Sequence, residues 1–270
     1  KEDGKSNTYD RSAMEELIRW RLWDRTGGGM MAELGSHQLD AASIFITAAH
    51  ALAKGGKVEK VHPLSVVAAA NRPIFPPDRD IEDHVYCVFE FPAPDYDPKD
   101  RFGKDKKIGV QYSSINGNGF GGYGETVYGT TGTMVLDRET DVMLYKVAAT
   151  TDKTKVAGKK LKDKDGKDKP TLGLDVSPDG DEPSLAVGHL AMLEAKRGYT
   201  EELEHWAWCI RNPAPENQPH CHPKVAMGDA IIALVTNMAA RTSKRIEFDE
   251  KWFDPKDDAS PDGSKPTVKA

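Results

Sequence analysis

Residues 27–40 read Gly-Gly-Gly-Met-Met-Ala-Glu-Leu-Gly-Ser-His-Gln-Leu-Asp. Three consecutive glycines allow backbone conformations that are closed to other residues and let another group approach closely. If the chain is helical from about Glu33 onward, Glu33 and His37 lie one above the other on one helical face. A glycine-rich entry followed by an acid–imidazole pair predicts a place for proton chemistry. The alternative is a helix that opens after a flexible turn, with His37 hydrogen-bonded to a neighbouring carbonyl group.

The helix predicted after this stretch covers residues 36–53 and is apolar on nearly every side. A helix of that kind is covered on both flanks, and the glycines at 55 and 56 end it. From there to about residue 150 the apolar period is two, which is typical of strands. The predicted strands are 58–61, 64–69, 85–91, 108–114, 125–128, 133–136 and 142–145.

The later part of the chain is predicted to be helical again. Helices are expected at 184–196, 200–211 and 223–241, and a closing strand at 245–248. Consecutive strands with short links favour antiparallel pairing over alternating βαβ units. The sequence therefore predicts an α+β fold, with a large, mostly antiparallel open β-sheet and helices packed on one of its faces.

The domain organisation predicted from composition is simple. Residues 1–17 form a polar lead-in, in which Ser12 and Glu15 read as a capping box; the helix is short because residues 18–22 alternate as a strand would. Residues 18–250 form a single α+β domain for substrate binding and oligomerisation, and residues 251–270 a polar tail. Charged insertions are expected at 93–107 and 150–183, since mixed charges without apolar anchors favour a solvated segment.

Bulk composition excludes several classes of protein. The chain has 270 residues and a formal net charge of −6, which argues against nucleic-acid binding because that needs a basic face. The sequence contains no run of about 18 apolar residues, so it predicts no membrane span. The chain opens on Lys1 and carries no recognisable secretory signal, so a cytoplasmic protein is the default expectation, with export left open. Cys87, Cys209 and Cys221 are too few for a disulfide framework.

Two other candidate sites find little support in the sequence. Residues 117–122 satisfy the letter of G-x-G-x-x-G, but the segment after them reads as a strand, whereas a dinucleotide site needs a helix there. A zinc site could be drawn from His205, Cys209 and residues 220–222, yet this spacing matches no common motif. We therefore predict no cofactor-binding residues and no metal ligands in this chain, and the stretch at 27–40 remains the candidate active site.

Several segments together resemble the C-terminal domain of the Gfo/Idh/MocA family, which includes glucose–fructose oxidoreductase and inositol dehydrogenase. The family carries Asp-x-Gly-x-His-x-x-Asp at the start of a helix, and residues 33–40 read Glu-Leu-Gly-Ser-His-Gln-Leu-Asp. The turn at 128–133, Tyr-Gly-Thr-Thr-Gly-Thr, is similar to a late turn of the family's sheet. Residues 227–230 and 243–248 are similar to its closing helix and strand. The resemblance covers most of residues 18–93, 108–148 and 199–249.

The resemblance implies roles for individual residues. His37 falls on the histidine that exchanges a proton with a sugar or cyclitol hydroxyl group while a hydride moves to or from nicotinamide. Glu33 falls on the acid that holds the substrate and orients the imidazole, although the family's usual residue is Asp; the extra methylene shifts the carboxylate by about an ångström, which could alter substrate choice. Arg21, Trp23 and Asp40 are predicted to bind substrate. For Asp40 two further roles are open, fixing the imidazole ring of His37 or supporting the helix, and support is favoured.

The resemblance also implies a nucleotide-binding domain, which this sequence does not contain. Family members begin with a Rossmann domain that carries the glycine fingerprint and a Glu-Lys-Pro motif, and the nearest match, Glu59-Lys60-Val61, has no proline. We therefore expect the substrate-binding half of an NAD- or NADP-dependent oxidoreductase, with no cofactor bound to this chain alone. The expected partners are the missing Rossmann domain, a sugar-like substrate and a second copy through the open sheet face. The alternative is a non-catalytic binding or oligomerisation module with the same fold.

Overall fold

The computed structural model describes residues 12–117, 122–138, 141–146, 153–162, 168–176 and 199–264. The chain divides into two compact units, the first formed by Lys1–Asn118 with His220–Ala270 and the second by Gly119–Pro219. Helices and strands are numbered along the whole chain. The single domain expected over residues 18–250 stays a prediction.

The first unit combines helices with one antiparallel sheet. Its helices are α1 (Ala13–Ile18), α2 (Asp24–Gly27), α3 (Ser36–Lys54) and α5 (Pro223–Thr242). Its strands are β1 (Ser65–Asn71), β2 (His84–Pro92), β3 (Lys107–Ile115) and β9 (Ile246–Glu247), in the order β3-β2-β1-β9. A π-helical turn (Met31–Gly35) leads directly into α3, and short 3-10 turns lie at Trp20–Leu22, Gly103–Asp105 and Glu250–Phe253.

The core of this unit lies between the sheet and the helices α3 and α5. On β2 the buried side chains alternate strictly, as the period of two predicts; they are Val85, Cys87, Phe89 and Phe91. They pack with Leu39 and Ile46 of α3 and with Ile232 and Val235 of α5. The opposite face of the sheet exposes apolar side chains of β1 and β2, including Val67 and Val88. The predicted helices on one face of an antiparallel sheet are confirmed.

Helix α3 is less covered than its composition suggested. Its buried residues, Leu39, Ser43, Ile46 and His50, form one stripe along the helix. Ile44 on another side is exposed, and so is Leu52 near the end of the helix. The expectation of cover on both flanks is therefore not met by the described residues of this unit.

Two predicted strands of the first unit are wrong. Residues 18–22 are instead the end of α1 and a 3-10 turn, because local hydrogen bonds occupy the backbone; Trp23 N donates to Trp20 O at 3.4 Å, and Thr26 Oγ1 to the same carbonyl at 2.7 Å. Residues 58–61 form no ladder. There Val61 N donates to Thr47 Oγ1 at 3.1 Å, so this connector lies against α3 rather than beside another strand.

Within its described residues, the second unit contains one helix and a second antiparallel sheet. Its strands are β4 (Gly124–Tyr128), β5 (Gly132–Asp137), β6 (Asp141–Lys146), β7 (Lys153–Lys162) and β8 (Asp168–Val176), paired in sequence order. Helix α4 (Tyr199–Arg211) follows. The charged segment at 150–183 thus contains two strands, and the helix predicted at 184–196 lies outside the described residues.

The α+β class and the antiparallel pairing are confirmed, while the strands are divided between two sheets rather than joined in one. The division falls between β3 and β4, at the glycine-rich stretch 117–122. In the described part of the chain, no helix has both the length and the apolarity that a membrane span needs.

Candidate active site at the glycine turn

The glycine turn that precedes α3 depends on left-handed backbone. Gly28 and Gly29 have φ of +67° and +68°, which glycine adopts without steric cost. A Cβ atom on Gly28 would lie 2.7 Å from the Cβ of Ala32, closer than two carbon atoms can approach. The buried amide of Asn237 in α5 donates to the carbonyl oxygen of Gly28 at 2.6 Å. The turn is therefore built for glycine and anchored to α5.

The π-helical turn between the glycines and α3 carries Glu33. Its inner side is packed, because Met31 is fully buried and a Cβ atom on Gly35 would lie 2.9 Å from Met31 Cε and 3.4 Å from Tyr112 Cε1. Turns of this kind occur mostly as single insertions in α-helices and are frequent at functional sites. The packing of Met31 and Gly35 against β3 leaves Glu33 and Leu34 on the outer side of the turn.

Glu33 forms an ion pair with Arg21. The Glu33 carboxylate accepts from Nε of Arg21, whose guanidinium group also lies 4.4 Å above the ring of Trp20. The two side chains are 35% and 61% exposed, so the pair lies at the surface. The structure thus brings together two of the residues that the sequence singled out for the site.

His37 lies in the first turn of α3, four residues after Glu33, and its side chain is exposed. It makes no hydrogen bond or ion pair with any residue in the described ranges. The carbonyl-bound histidine that was the alternative is therefore not observed there. An exposed imidazole without a partner can accept or donate a proton at either ring nitrogen.

Asp40, one turn beyond His37, has a different environment. Its carboxylate accepts from Nζ of Lys60, and the same ammonium group donates to Asp229 of α5. The side chains of Asp40, Lys60 and Asp229 are 28%, 11% and 9% exposed. Burial raises the pKa of Asp229, the Asp40 charge adds to that rise, and Lys60 opposes it. This network connects α3 to α5 through Lys60, and the role of Asp40 as support for the helix stays a prediction.

Trp23 lies in the interior just before α2, with 2% of its surface exposed. A substrate would find almost no surface on it in this conformation. Of the three residues predicted to bind substrate, Arg21 therefore lies beside Glu33, Trp23 lies in the core and Asp40 lies in a charged network. Their roles in binding stay predictions.

Sequence reasoning missed a further acid beside the turn. Glu82 Oε2 lies 3.8 Å from the position that a Cβ atom on Gly29 would take. The loop before it is held by Asp83, a fully buried carboxylate that accepts from the amides of Ile74 and Phe75 at 2.8 and 2.6 Å. Burial acts to raise the pKa of Asp83, but these amides and His84 outweigh it and lower the pKa. No motif spacing links these residues to Gly29, so sequence alone had no signal for them.

The other two candidate sites can be compared with the structure in part. Most of the G-x-G-x-x-G match at 117–122 lies outside the described residues, and the element that follows it is strand β4. In α4, Nε2 of His205 lies 3.7 Å from Sγ of Cys209. Among the described residues, no group of three His, Cys, Asp or Glu side chains could hold a metal ion.

Comparison with known proteins gives matches only among solved structures. No family model matches the sequence, and no curated protein matches it. The dehydrogenase WlbA from Bordetella pertussis, solved with NADH and UDP-GlcNAcA, is 12% identical over 87% of this chain and 52% of its own, with a TM-score of 0.47. An NAD-binding oxidoreductase from Klebsiella pneumoniae is 14% identical over 84% of this chain and 53% of its own, with a TM-score of 0.45.

A third similar structure is the aldose–aldose oxidoreductase from Caulobacter crescentus in complex with glycerol. It is 15% identical over 85% of this chain and 51% of its own, with a TM-score of 0.41. The chain thus spans about half the length of the solved structures that it matches. With identities of 15% or less and TM-scores below 0.5, these three likenesses decide no activity for this chain. All three proteins are named as oxidoreductases or dehydrogenases.

Proposed function

We propose that this chain is the substrate-binding half of an NAD(P)-dependent oxidoreductase that acts on a sugar or cyclitol hydroxyl group. One observation carries the proposal. His37 is exposed and unpartnered among the described residues, and it lies one helical turn after Glu33, whose carboxylate is held by Arg21. This acid–imidazole arrangement at a packed π-helical turn suits proton transfer to and from a bound hydroxyl group.

Each residue has a role that follows from its chemistry. The neutral imidazole of His37 accepts the proton of a substrate hydroxyl group, and the imidazolium returns it in the reverse direction. The carboxylate of Glu33 accepts hydrogen bonds, so it can hold a second hydroxyl group of a polyol. Arg21 keeps that carboxylate in place, and its exposure lets the pair open toward a ligand.

The nicotinamide cofactor supplies or accepts the hydride when it is bound. The one match to the glycine fingerprint, at residues 117–122, does not fit a nucleotide site, because it is followed by β4 and not by a helix. We therefore place the cofactor on a nucleotide domain outside these residues. The 270-residue chain is expected neither to bind nicotinamide nor to turn over, and micromolar binding in a titration with NADH would contradict this.

The test of catalysis uses the protein in which this chain is joined to a nucleotide domain. His37→Ala is expected to lower kcat by a factor on the order of 10² to 10⁴, the usual contribution of a general acid–base. Thermal unfolding should be unchanged, because His37 is exposed. His220→Ala removes another exposed histidine and serves as the matched control. Turnover that survives His37→Ala would reject the proposed role.

A second candidate function, a non-catalytic oligomerisation module, is favoured by the open face of the first sheet. Val67, Tyr86, Val88 and Ile115 are each between 41% and 53% exposed there. Exposed apolar patches of this kind often mark interaction sites, and we infer a second copy of the chain as the partner. Sedimentation should show a dimer that Val88→Glu dissociates, whereas Leu52→Glu, on an exposed helical position, should leave it intact. A wild-type monomer at micromolar concentration would reject the dimer.

A further inference from the structure

Two carboxylates flank His37 along its helix. Glu33, in the π-helical turn, precedes it by four residues, and Asp40, in α3 itself, follows it by three; residues at the second spacing are neighbours on an α-helix surface. A basic residue from another segment binds each carboxylate, Arg21 in the first case and Lys60 in the second. Each carboxylate can therefore hydrogen-bond the imidazole of His37 only when its basic partner releases it.

Lys60 is held much more firmly than Arg21. Its side chain is 11% exposed against 61% for Arg21, and its ammonium group donates to Asp229 as well as to Asp40. Removing one partner from a buried ion pair leaves an uncompensated charge, which is strongly unfavourable. The network therefore directs the Asp40 carboxylate toward Lys60 and Asp229 in the native state.

The segment that carries Lys60 is fixed by further contacts. Val61 N donates to Thr47 Oγ1 of α3 at 3.1 Å, and Leu64 N donates to Glu90 O of β2 at 2.7 Å. The Cδ atom of Lys60 lies 3.8 Å from the position of a Cβ atom on Gly228, so the aliphatic stem runs close to α5. The backbone of this connector and the side chain of Lys60 thus hold the Lys60 ammonium group in one position.

We propose that Lys60 is a positioning residue for His37, because by binding Asp40 it prevents that carboxylate from hydrogen-bonding the imidazole. Glu33 is then the carboxylate that acts together with His37 on a bound hydroxyl group. An imidazole held by a neighbouring carboxylate donates one N–H to it and is locked in one tautomer. The inference rests on the proposed acid–base role of His37, but its test measures the imidazole itself and requires no turnover.

The experiment records long-range ¹H–¹⁵N correlations of the histidine rings in the 270-residue chain, at mildly alkaline pH, with His37→Gln to assign the signal. Lys60→Met releases Asp40, so the His37 ring nitrogens should move from averaged shifts to those of one fixed tautomer. Adding Asp40→Asn to Lys60→Met should restore the wild-type signal. Lys224→Met, which breaks an exposed pair with Glu59 at 3.1 Å, is the matched control and should change nothing.

The double variant separates positioning from support of the fold. Its control is Lys60→Met combined with Asp229→Asn, which relieves the same repulsion between Asp40 and Asp229 but leaves the Asp40 carboxylate free to bind His37. This variant should keep the signal of the fixed tautomer; if it restores the wild-type signal as well as Asp40→Asn does, Lys60 only supports α3 and the proposal is overturned. An unchanged signal in folded Lys60→Met would overturn it too. If Lys60→Met does not fold, Asp40→Asn alone decides: an unchanged His37 signal supports the proposal, because Asp40 is already withheld, and a changed signal refutes it.

Discussion

Two ion-pair clusters flank His37 and differ chiefly in burial. Arg21 and Glu33 meet at the surface, with side chains 61% and 35% exposed, whereas Lys60 lies between Asp40 and Asp229 with 11% exposed. Exposed pairs contribute about 0–1 kcal/mol to stability, because water and salt screen them. A buried pair is costly to break, because the charge that remains is neither paired nor solvated. The first cluster can therefore open toward a ligand, while the second maintains the helix that carries the histidine.

The largest effect is expected from Lys60→Met, which leaves the carboxylates of Asp40 and Asp229 facing each other without a cation. Breaking a buried pair costs about 3–5 kcal/mol, and partial exposure places this one near the lower end. Urea unfolding monitored by circular dichroism measures the change in the free energy of unfolding. Lys224→Met, at an exposed pair, should cost less than about 1 kcal/mol. Equal losses in the two variants would show that burial does not distinguish these clusters.

Gly28→Ala tests the anchored turn that presents the exposed cluster. The substitution meets both a left-handed backbone, with φ of +67°, and the Cβ atom of Ala32 at 2.7 Å. We expect a loss of about 1–3 kcal/mol in the free energy of unfolding. Gly55 has φ of +69° but no atom within 4 Å of its Cβ position, so Gly55→Ala carries the backbone strain alone. The loss should be larger at Gly28, and a larger loss at Gly55 would contradict the contact with Ala32.

Asp229→Asn tests the buried cluster through pH. Burial raises the pKa of Asp229 above its usual 3.8, so the native state binds this proton more tightly than the unfolded state. The corresponding stability is present below pH 3.8 and is lost as pH rises through the native pKa. The Asp229→Asn variant has no carboxyl group to lose this proton. Its free energy of unfolding should therefore rise more steeply with pH in this window than that of the wild type.

Glu90→Gln is the companion variant with the opposite sign. Hydrogen bonds from Arg245 and Lys107 lower the pKa of Glu90 from 4.5 to about 2. The ionised Glu90 carboxylate therefore contributes to the free energy of unfolding above pH 4.5, and this contribution is lost as pH falls toward 2. Glu90→Gln should therefore flatten the acid limb of the stability curve, and parallel curves for the two variants would refute both assignments.

Arg21→Gln should have the smallest effect on stability, below about 1 kcal/mol, because the pair with Glu33 is exposed. The difference from the wild type should shrink further at high salt, which screens surface charges. Thermal unfolding at low and high salt measures both. A loss as large as that of Lys60→Met would show that Arg21 supports the fold rather than the site.

Much of the first unit could be predicted from sequence because its signals are local. The period of two along residues 85–91 matches the alternating burial of β2, and the glycine at 55 ends α3 in a left-handed conformation. The failures are also physical. Residues 18–22 alternate like a strand, but hydrogen bonds to the Trp20 carbonyl close a turn there. Residues 58–61 have strand composition, but tertiary contacts to α3 and α5 hold them as a connector.

The sequence by itself determined the helix that carries His37, because its apolar composition and the glycines at 55 and 56 are local signals. The π-helical turn that carries Glu33 was not predicted. Nor could the sequence reveal the environment of the His37 and Glu33 side chains. Lys60 and Asp229 are 169 positions apart, and no local pattern connects them. Only the packing of α3 against α5 and the connector decided that one carboxylate beside His37 is buried in a charged network and the other is exposed with Arg21, since burial is a property of the folded chain.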